Sequence, residues 1–462
     1  MKTYIKYMGL LLAPLCLSFF SCSSSSKKEV HSPHLTLLEE ISIVNDDGSE
    51  IKGRVNETTK IIDFPRLEPE RNLKEVRFNA KLSPGAQLDK ETYNFNVAEG
   101  DSESKRIIKV INETRYREYQ ATIRLKVPVY GGDFSKAVLY DHSLNGNNAY
   151  EHFSSMSTRS SDFDGKHVLI ISRHKGNNPH LLAFEDIKKG VLNPIKLNTE
   201  GVASLFAGKL MQGRVYAVNM SSLSPTIYYW ETPTSKPKII FTDTNINTGG
   251  GGRYGDSMAM YLDDKGDGYI FLENNTTNII TRLHVTNFNK VTEFDEINIK
   301  ASAGVAGGQY FSMSKVEGTP YYLYTGFDAP LALVDDGGNL ALKISVASID
   351  SKVNEAKIFE FNEKRYLLTI TACRSGRGWP AETIYVYDIS RGDNVLDALT
   401  KLDTNNYTPI YQQTLKGSGT TAPGTNCNYA IIDDKVYLFG GATDAGFLIS
   451  EIPKMELEEE EF

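Results

Sequence analysis

A recurring strand-turn-strand pattern of apolar and polar residues dominates the chain. Each of six copies combines a short inner strand, a tight turn rich in Asp, Gly, Lys or Asn, and a second strand rich in Tyr, Val and Ile. The copies read SMSTRSSDFDGKHVLIISR, SLFAGKLMQGRVYAVNM, SMAMYLDDKGDGYIFLEN, YFSMSKVEGTPYYLYTG, KIFEFNEKRYLLTITA and CNYAIIDDKVYLFGG. Successive turn residues lie 48, 55, 50, 45 and 71 positions apart, taken at Gly165, Gly213, Gly268, Gly318, Glu363 and Asp434. A β-type period of about fifty residues is typical of propeller blades. The pattern therefore predicts a six-bladed β-propeller over residues 132–455.

The propeller is expected to close through its own two ends. The segment KAVLYDHS, which starts at Lys136, has no repeat of its own, and the last copy, NYAIIDDKVYLFGGATDAGFLISEI, ends one strand short. Pairing the early strand with the last blade would complete that blade and remove two exposed strand edges. The sequence therefore predicts that the strand from Lys136 joins the sixth blade.

A different strand pattern precedes the repeats, over residues 35–128. Apolar and polar residues alternate between Gly, Pro, Asn and Asp breaks in EISIVNDDG, GRVNETTKIIDFP, EVRFNAKLSPGAQLD, YNFNV and RIIKVINETRYREYQATIRLKV. About seven short strands in about ninety residues is the size of an immunoglobulin-like sandwich. The predicted fold class is therefore all-β, with an N-terminal immunoglobulin-like β-sandwich followed by a six-bladed β-propeller. The boundary is expected at the PVYGG segment, residues 128–132.

The first residues have the pattern of an export signal. Lys2 and Lys6 precede an apolar core, residues 8–20, that is too short to span a bilayer comfortably. The following SC pair and serine run resemble the lipobox of bacterial lipoproteins. That resemblance implies a signal peptide over residues 1–21, lipidation of Cys22 and a polar tether over residues 22–34. An ordinary secretory signal is the alternative interpretation. In either case the mature chain is not expected to cross a membrane.

Composition limits the partners. The 462 residues carry a formal net charge of −8 and show no basic stripe, which argues against a nucleic-acid partner. The acidic tail, residues 456–462, is expected to be a solvated end. Cys373 and Cys427 would remain in an exported chain. They could form a disulfide between neighbouring blades or stay as two buried thiols, and both alternatives are open.

The long loops of the predicted propeller are expected to emerge on one face. The turn between the first and second strands of each repeat is short, whereas long segments precede the first strand or follow the second. Neighbouring strands of a blade run antiparallel, so these long segments meet at the same end of the ring. Loops on a rigid scaffold usually carry the binding groups, and rings, Arg and Asn suit a hydroxylated ligand. We therefore expect ligand binding by Arg173, His174, Asn219, Arg253, Tyr254, Tyr310, Arg374, Arg377 and Trp379.

No motif in the sequence predicts catalysis. The chain lacks both the S-x-D-x-G-x-T-W box of sialidase propellers and a G-x-S-x-G elbow. Acidic residues could lie near the ring's mouth without standing in a motif, namely Glu151, Glu200, Asp256, Glu273 and Asp328. The eight His residues show no metal-ligand spacing. We predict no catalytic residue, no metal and no cofactor, while the question of enzyme activity stays open.

The order of modules resembles a class of surface lipoproteins. A lipid anchor, an immunoglobulin-like module (LSPGAQLD and VINETRYREYQATIRLKV) and a propeller are similar to uncharacterised lipoproteins of gut-type bacteroidetes, several of which accompany glycan-import machinery. The resemblance implies a non-catalytic protein, lipid-anchored at the outer membrane, that binds an oligosaccharide or polysaccharide for a neighbouring transporter or enzyme. The SSSSKK segment lacks the acidic run often linked with export to the outer leaflet. The cell surface is favoured, and a periplasm-facing position stays open. The alternatives are a propeller glycoside hydrolase or lyase, and a protein-interaction scaffold or adhesin.

Overall fold

The computed structural model describes most of the chain from residue 35 onward. The described ranges are 35–69, 71–98, 101–127, 129–143, 157–173, 179–243, 252–276, 279–299, 308–326, 329–344, 352–372, 381–405, 408–416 and 424–456. They fall in two compact units, one ending at residue 127 and the other beginning after it. No helix in these ranges has the length and apolar character needed to cross a membrane.

The first unit is a single, nearly closed sheet of seven strands. The strands are β1 (Leu38–Val44), β2 (Glu50–Asn56), β3 (Ile61–Asp63), β4 (Arg77–Leu82), β5 (Gln87–Leu88), β6 (Glu103–Asn112) and β7 (Arg115–Arg124). Their order is β4-β1-β2-β3-β7-β6-β5, with β3 and β7 parallel and the other pairs antiparallel. Alternating inward residues, among them Ile41, Phe95 and Ile108, form its core. Because all seven strands pair in one sheet, an immunoglobulin-like assignment stays a prediction.

The second unit confirms the six-bladed propeller. Each blade is a four-stranded antiparallel sheet whose first strand is the innermost. Blade one has β9 (Thr158–Phe163), β10 (His167–Ser172), β11 (His180–Ala183) and β12 (Ile195–Lys196). Blade two has β13 (Leu205–Met211), β14 (Arg214–Asn219), β15 (Thr226–Trp230) and β16 (Lys238–Thr242). Blade three has β17 (Ala259–Leu262), β18 (Gly268–Glu273), β19 (Ile279–Thr286) and β20 (Lys290–Asn298).

The remaining blades repeat this plan, and the last one closes the ring. Blade four has β21 (Ser312–Lys315), β22 (Tyr321–Gly326), β23 (Ala329–Asp335) and β24 (Leu340–Lys343). Blade five has β25 (Val353–Phe361), β26 (Lys364–Thr371), β27 (Thr383–Asp388) and β28 (Tyr411–Thr414). Blade six has β29 (Thr425–Ile432), β30 (Lys435–Ala442), β31 (Gly446–Pro453) and, as its outer strand, β8 (Val138–Ser143). The predicted ring closure is therefore confirmed, since β8 pairs with β31 from Ser143 opposite Gly446 to Val138 opposite Glu451.

Helices are minor elements of the propeller. The described helices are α1 (Phe184–Ile187), α2 (Val395–Asn405) and two 3-10 turns, Phe134–Lys136 and Gly308–Tyr310. Asn394 caps α2 by accepting a hydrogen bond from the Asp397 backbone N–H at 2.9 Å. One side of α2, including Leu399 and Leu402, packs on blades four and five. This inserted helix contributes to the long spacing of 71 residues between the fifth and sixth repeats.

The short turns and the loops lie at opposite ends of the ring. The hairpin turns at 212–213, 362–363 and 433–434 put both central residues at positive φ, which suits the twist of the flanking strands. The starts of the first strands and the ends of the second strands lie at the other end, as the antiparallel pairing requires. We call this end the loop face.

Candidate functional site

A cavity opens where the six first strands begin, at the mouth of the channel on the loop face. It has a volume of about 360 Å³, including solvent at its open side. All six blades contribute wall residues, through their first strands or the segments just before them. The wall residues include Arg159, Lys209, Asp256, Ser257, Tyr310, Asn354, Glu355 and Thr425.

A buried network of charges forms the floor. The Lys209 ammonium lies 2.9 Å from Oε1 of Glu355, and the Lys357 ammonium lies 3.3 Å from the same oxygen. The other oxygen of Glu355 accepts hydrogen bonds from the Asn426 side chain and the Cys427 backbone N–H, both at 3.1 Å. Burial alone would favour a neutral Glu355, but the two ammonium groups outweigh it and hold its pKa at about 2. Glu355 is thus a fully engaged carboxylate.

Asp162 completes the floor beside Lys209. Its carboxylate accepts hydrogen bonds from the Leu210 backbone N–H at 2.8 Å and from the Asn428 side chain at 2.9 Å. Burial raises the pKa of Asp162, and the charge of Lys209 opposes that effect. The two carboxylates together raise the pKa of Lys209 despite its burial. The floor is therefore a salt-bridged network contributed by blades one, two, five and six.

Asp256 forms the acidic part of the wall and is locked by one arginine. The Arg253 guanidinium donates to both of its oxygens, from Nε at 2.8 Å and from Nη2 at 3.0 Å. Burial raises the pKa of Asp256, and Arg253 opposes this shift as the nearest positive charge. This bidentate geometry fixes both side chains.

Two further arginines share one aromatic ring beside the cavity. The guanidinium carbons of Arg173 and Arg159 lie 4.1 Å and 5.6 Å from the centroid of the Phe206 ring. Burial and then the charge of Arg159 lower the pKa of Arg173. Neither arginine forms an ion pair with any residue in the described part of the chain. The rim of the cavity thus carries two cations that share a ring face and form no ion pair in the described ranges.

Within the described ranges, four buried polar atoms of the cavity wall have no hydrogen-bond partner. They are Arg159 Nε, Ser257 Oγ, Asn354 Oδ1 and Thr425 Oγ1. Thr425 is 1% exposed and Asn354 is 4% exposed, so the unpartnered oxygen of each of these two side chains faces the cavity or the protein interior. Buried polar groups are nearly always paired, and a cluster of exceptions around one cavity suits a polar ligand or bound solvent.

The structure brings several of the predicted binding residues to this mouth. Tyr310 lines the cavity, Arg253 holds Asp256 in its wall, and Arg173 stacks beside it. Tyr310 interacts electrostatically with both Arg173 and Arg253. His174, Arg374, Arg377 and Trp379 lie outside the described residues, as does Cys22.

Two other residues that we predicted to bind a ligand, Tyr254 and Asn219, stabilise the fold instead. Tyr254 is 1% exposed and packs in the core between blades two and three, with Tyr216 and Met258. Asn219 accepts a hydrogen bond from the Thr226 backbone N–H at 2.7 Å and so stabilises the loop between β14 and β15. Tyr254 follows Arg253 directly, and consecutive residues of an extended segment point in opposite directions. The structure therefore assigns Arg253 to the site and Tyr254 to the core.

Sequence reasoning missed the residues that first strands contribute. Arg159, Lys209, Asn354, Glu355 and Thr425 belong to or adjoin strands that looked like ordinary repeat units. A signal was available, since charged and hydroxyl residues in RSSDF and VNEAKIF contrast with the apolar second strands HVLIIS and RYLLTIT. Polar residues on the innermost strand of a propeller face the channel.

Cys427 is a buried free thiol at the floor. Its Sγ lies 3.5 Å from the backbone oxygen of Glu355, and burial raises its pKa well above the ordinary value. A thiol held neutral in this way is a poor nucleophile. Of the two alternatives left open by the sequence, the free thiol is the one observed for Cys427, while Cys373 lies outside the described residues.

Metal ligation finds no support in the described ranges. No group of three His, Cys, Asp or Glu side chains there is placed to hold an ion. The carboxylates of the cavity already have basic partners, and what the arrangement offers chemically is hydrogen bonding and positive charge.

Substituting Gly255 is expected to disturb the site through the backbone. Gly255 has φ +92°, and an added Cβ would lie 2.1 Å from the Asn219 carbonyl oxygen. Gly255→Ala should lower the free energy of unfolding by about 1–3 kcal/mol, because it combines positive-φ strain with this clash. Thermal unfolding measures the effect. The control Gly213→Ala has φ +78° with nothing within 4 Å and should cost less; equal losses would contradict the role of the close approach.

Comparisons with known proteins identify a family that covers most of the chain. A family model described as a domain of unknown function, DUF4623, matches residues 27–455. A crystal structure of a DUF4623 family protein from Bacteroides eggerthii is 32% identical, with a TM-score of 0.79, covering 92% of this chain and 99% of that one. No curated protein matches the chain.

Other solved structures are much more distant. A neuraminidase-like protein of A/little yellow-shouldered bat/Guatemala is 8% identical, with a TM-score of 0.40 over 70% of this chain and 100% of that one. The extracellular domain of a putative hybrid two-component system from Bacteroides thetaiotaomicron is 10% identical, with a TM-score of 0.36 over 88% of this chain and 55% of that one.

Proposed function

The chain belongs to the DUF4623 family, and we propose that it is a non-catalytic cell-envelope lipoprotein that binds a glycan at the mouth of its propeller channel. The observation that carries this proposal is the set of unpartnered buried polar atoms around one cavity. Arg159 Nε can donate, Asn354 Oδ1 can accept, and the hydroxyls of Ser257 and Thr425 can do either. A sugar presents hydroxyl groups that also donate and accept, so it complements this mixed set.

The charged floor and the open rim of the cavity suit a ligand that binds from the loop face. Beneath the cavity, the channel is occupied by the network around Lys209 and Glu355, so a ligand enters only from the loop face. Tyr310, which lines the cavity, supplies aromatic surface against which an apolar part of a sugar can pack. Most ligand pockets combine apolar surface with a few well-placed polar groups in this way.

The sequence supports a cellular setting for this activity. The leader and the SC pair at Cys22 support export and lipid anchoring at the outer membrane, with the surface-facing leaflet favoured. The N-terminal unit would then act as an immunoglobulin-like spacer that separates the propeller from the membrane. An outer-membrane transporter is the partner to which a bound oligosaccharide would pass.

A glycoside hydrolase is the second candidate, favoured by one observation. Asp256 and Glu355 line the same cavity, and their pKa values are shifted in opposite directions, which is a feature of acid–base pairs. Against it, Arg253 occupies both oxygens of Asp256, and Lys209, Lys357, Asn426 and the Cys427 N–H occupy those of Glu355. Engaged carboxylates bind and orient better than they transfer protons, so binding is the leading proposal.

Affinity gel electrophoresis with the full-length protein in mild detergent tests both candidates. A panel of neutral and acidic polysaccharides is cast in the gels, and the same mixtures are analysed for cleavage products. Retardation without products supports binding, whereas products would replace this proposal with the hydrolase. No retardation by any polysaccharide would contradict the proposed function.

The variant Thr425→Val gives a sharper test. It removes an unpartnered hydroxyl with little change of shape, so stability should stay the same or rise while affinity falls about 5-fold. Thr369→Val is the matched control, because Thr369 Oγ1 is also buried and unpartnered but does not line the cavity. If the two variants bind the polysaccharide with equal affinity, this cavity is not the binding site.

A further inference from the structure

We propose that the ligand of this cavity is an anionic glycan, whose carboxylate or sulfate group is bound by Arg159 and Arg173. This inference rests on the proposed function and adds the chemical class of the ligand. Three observations carry it: the arrangement of the two arginines, the pairing of the other charges around the cavity, and the sizes of the two cavities that the arginines line.

The first observation is a like-charged pair on one ring. Arg159 and Arg173 stand at 5.6 Å and 4.1 Å from the Phe206 centroid, and burial and mutual repulsion lower the pKa of Arg173. The charge of Arg159 acts against that of Arg173, and an anion within reach of both guanidinium groups would replace that repulsion by two attractions. Arginine forks match the geometry of carboxylate and sulfate oxygens and bind them through paired hydrogen bonds.

The second observation is that the carboxylates lining the cavity already have basic partners. Asp256 is bound by Arg253 through both oxygens, and Glu355 is bound by Lys209 and Lys357. Asp162, below the floor, lies beside Lys209. Of the described basic residues that line or adjoin the cavity, Arg159 and Arg173 are therefore the ones that form no ion pair.

The third observation concerns size. Arg159 lines the channel cavity, whereas Arg173 lines a second, larger cavity between blades one and two with Pro179, Thr199 and Ala203. The channel cavity, at about 360 Å³, is smaller than the second one, at about 520 Å³, and so admits a small group more readily than a whole sugar ring. An acidic substituent can therefore bind between the two cavities, where Arg159 and Arg173 both reach it, while the sugar to which it belongs rests in the second cavity.

A matched arginine exists on the opposite face. Arg214 lies 4.0 Å from the centroid of the Phe288 ring and, like Arg159, has a buried Nε without a partner. It follows the hairpin turn at 212–213 and lines no part of the channel cavity. Arg214 shows that stacking on Phe with an unpartnered Nε is not enough to mark a site, since it lacks both the second arginine and the cavity.

The experiment is isothermal titration of the full-length protein with three oligosaccharides. Oligogalacturonate carries carboxylates, κ-carrageenan oligosaccharide carries sulfate esters without carboxylates, and malto-oligosaccharide is neutral. We expect one or both acidic probes to bind at least about 10-fold more tightly than the neutral one, with affinity falling as salt increases. Binding of only one acidic probe identifies which anion the site takes.

Variants assign the effect to the arginine pair. Arg159→Gln and Arg173→Gln should each weaken binding of the acidic probe about 10-fold or more, and should weaken binding of the neutral probe much less, because only the acidic probe loses a charge-assisted pair of hydrogen bonds. Arg214→Gln should leave both affinities unchanged. Thermal unfolding of each variant checks that the propeller remains folded.

The outcomes separate this inference from the proposed function. Equal binding of neutral and acidic probes, or acidic binding that survives both substitutions, would overturn the anionic ligand while leaving glycan binding intact. If none of the three probes binds and the polysaccharide panel also fails, both proposals are wrong.

Discussion

Replacing Lys209 by Met lowers the free energy of unfolding of the propeller by about 3–5 kcal/mol, the usual cost of breaking a buried ion pair from one side. Lys209 is 6% exposed and lies 2.9 Å from Glu355, which is 2% exposed. Without the Lys209 ammonium group, Glu355 and Asp162 keep their burial, and among the described residues Lys357 is the one ammonium group left beside them. Burial of two carboxylates with one neighbouring cation is unfavourable, so the loss of stability exceeds what one hydrogen bond would give.

Tryptophan fluorescence during thermal unfolding reports this change selectively. The chain has two Trp residues, Trp230 and Trp379, and both fall within residues 128–457 of the propeller unit. The midpoint should fall by about 4–7 °C for a domain of this size. Circular dichroism, followed on the same samples, reports the unfolding of both units together.

Two further variants make the result decisive. Lys236→Met breaks an exposed pair with Glu200, in which both side chains are 72% exposed, and should leave the midpoint unchanged. Lys209→Met combined with Glu355→Gln should recover part of the loss, because one of the stranded carboxylates is removed. If the single variant Lys209→Met is as stable as the wild type, water reaches the floor of the cavity and hydrates its carboxylates.

Replacing Glu382 by Gln makes the propeller more stable at pH 7 and above, and leaves its stability unchanged below about pH 4.5. Glu382 precedes β27 and is 1% exposed, and neither of its carboxyl oxygens has a hydrogen-bond partner among the described residues. Burial raises its pKa to about 7, and the charge of Asp444 adds to the shift. The group therefore prefers to be neutral in the folded chain.

The sign of the pH dependence follows from the raised pKa. Between the ordinary value of 4.5 and about 7, the folded state binds the proton more tightly than the unfolded state. Stability attributable to Glu382 is therefore full below pH 4.5 and is lost as pH rises to 7. The loss amounts to about 3 kcal/mol, since one pKa unit corresponds to about 1.4 kcal/mol.

Denaturant unfolding at a series of pH values measures the difference between Glu382→Gln and the wild type. The difference should be near zero at pH 4.5, grow to about 3 kcal/mol at pH 7 and stay constant above it. Glu360→Gln, whose side chain is 69% exposed, is the control and should follow the wild type at every pH. A pH-independent difference for Glu382→Gln would mean that the carboxyl is ionised and satisfied in the folded chain.

The two variants also bear on the candidate site. Lys209 supports the cavity floor directly, so its loss should weaken ligand binding as well as stability. Glu382 does not line the cavity, so its replacement should affect stability alone. Comparing the two separates a general loss of stability from a local effect on the floor.

The pattern of strands and turns was enough to predict the propeller and its closure. Each blade is a local unit of consecutive antiparallel strands, so its repeat period and turn residues are written in neighbouring positions. The strand from Lys136 was predicted to join the last blade because both had an unsatisfied edge, and β8 does pair with β31. The same antiparallel logic predicted the loop face, where Arg173, Arg253 and Tyr310 lie.

The candidate site itself depends on contacts that no local pattern encodes. Lys209 and Glu355 are 146 positions apart, and Asp162 and Asn428 are 266 apart. Strands from different blades meet only around the channel axis, so the identity of each partner is set by the closed ring. The sharing of Phe206 by Arg159 and Arg173, and the unpartnered atoms beside them, depend equally on how blades one and two pack.

The number of blades, the closing strand and the face that carries the loops could therefore be predicted without the structure, because they depend on repeat period and turn chemistry. Which side chains converge on the cavity depends on how the six blades pack around the channel. Arg253 and Tyr254 show the reason most directly: the two are adjacent in the chain, yet one ion-pairs in the cavity wall and the other fills the core between two blades. An extended backbone turns successive side chains to opposite sides, and the surroundings of each side are built by distant parts of the ring.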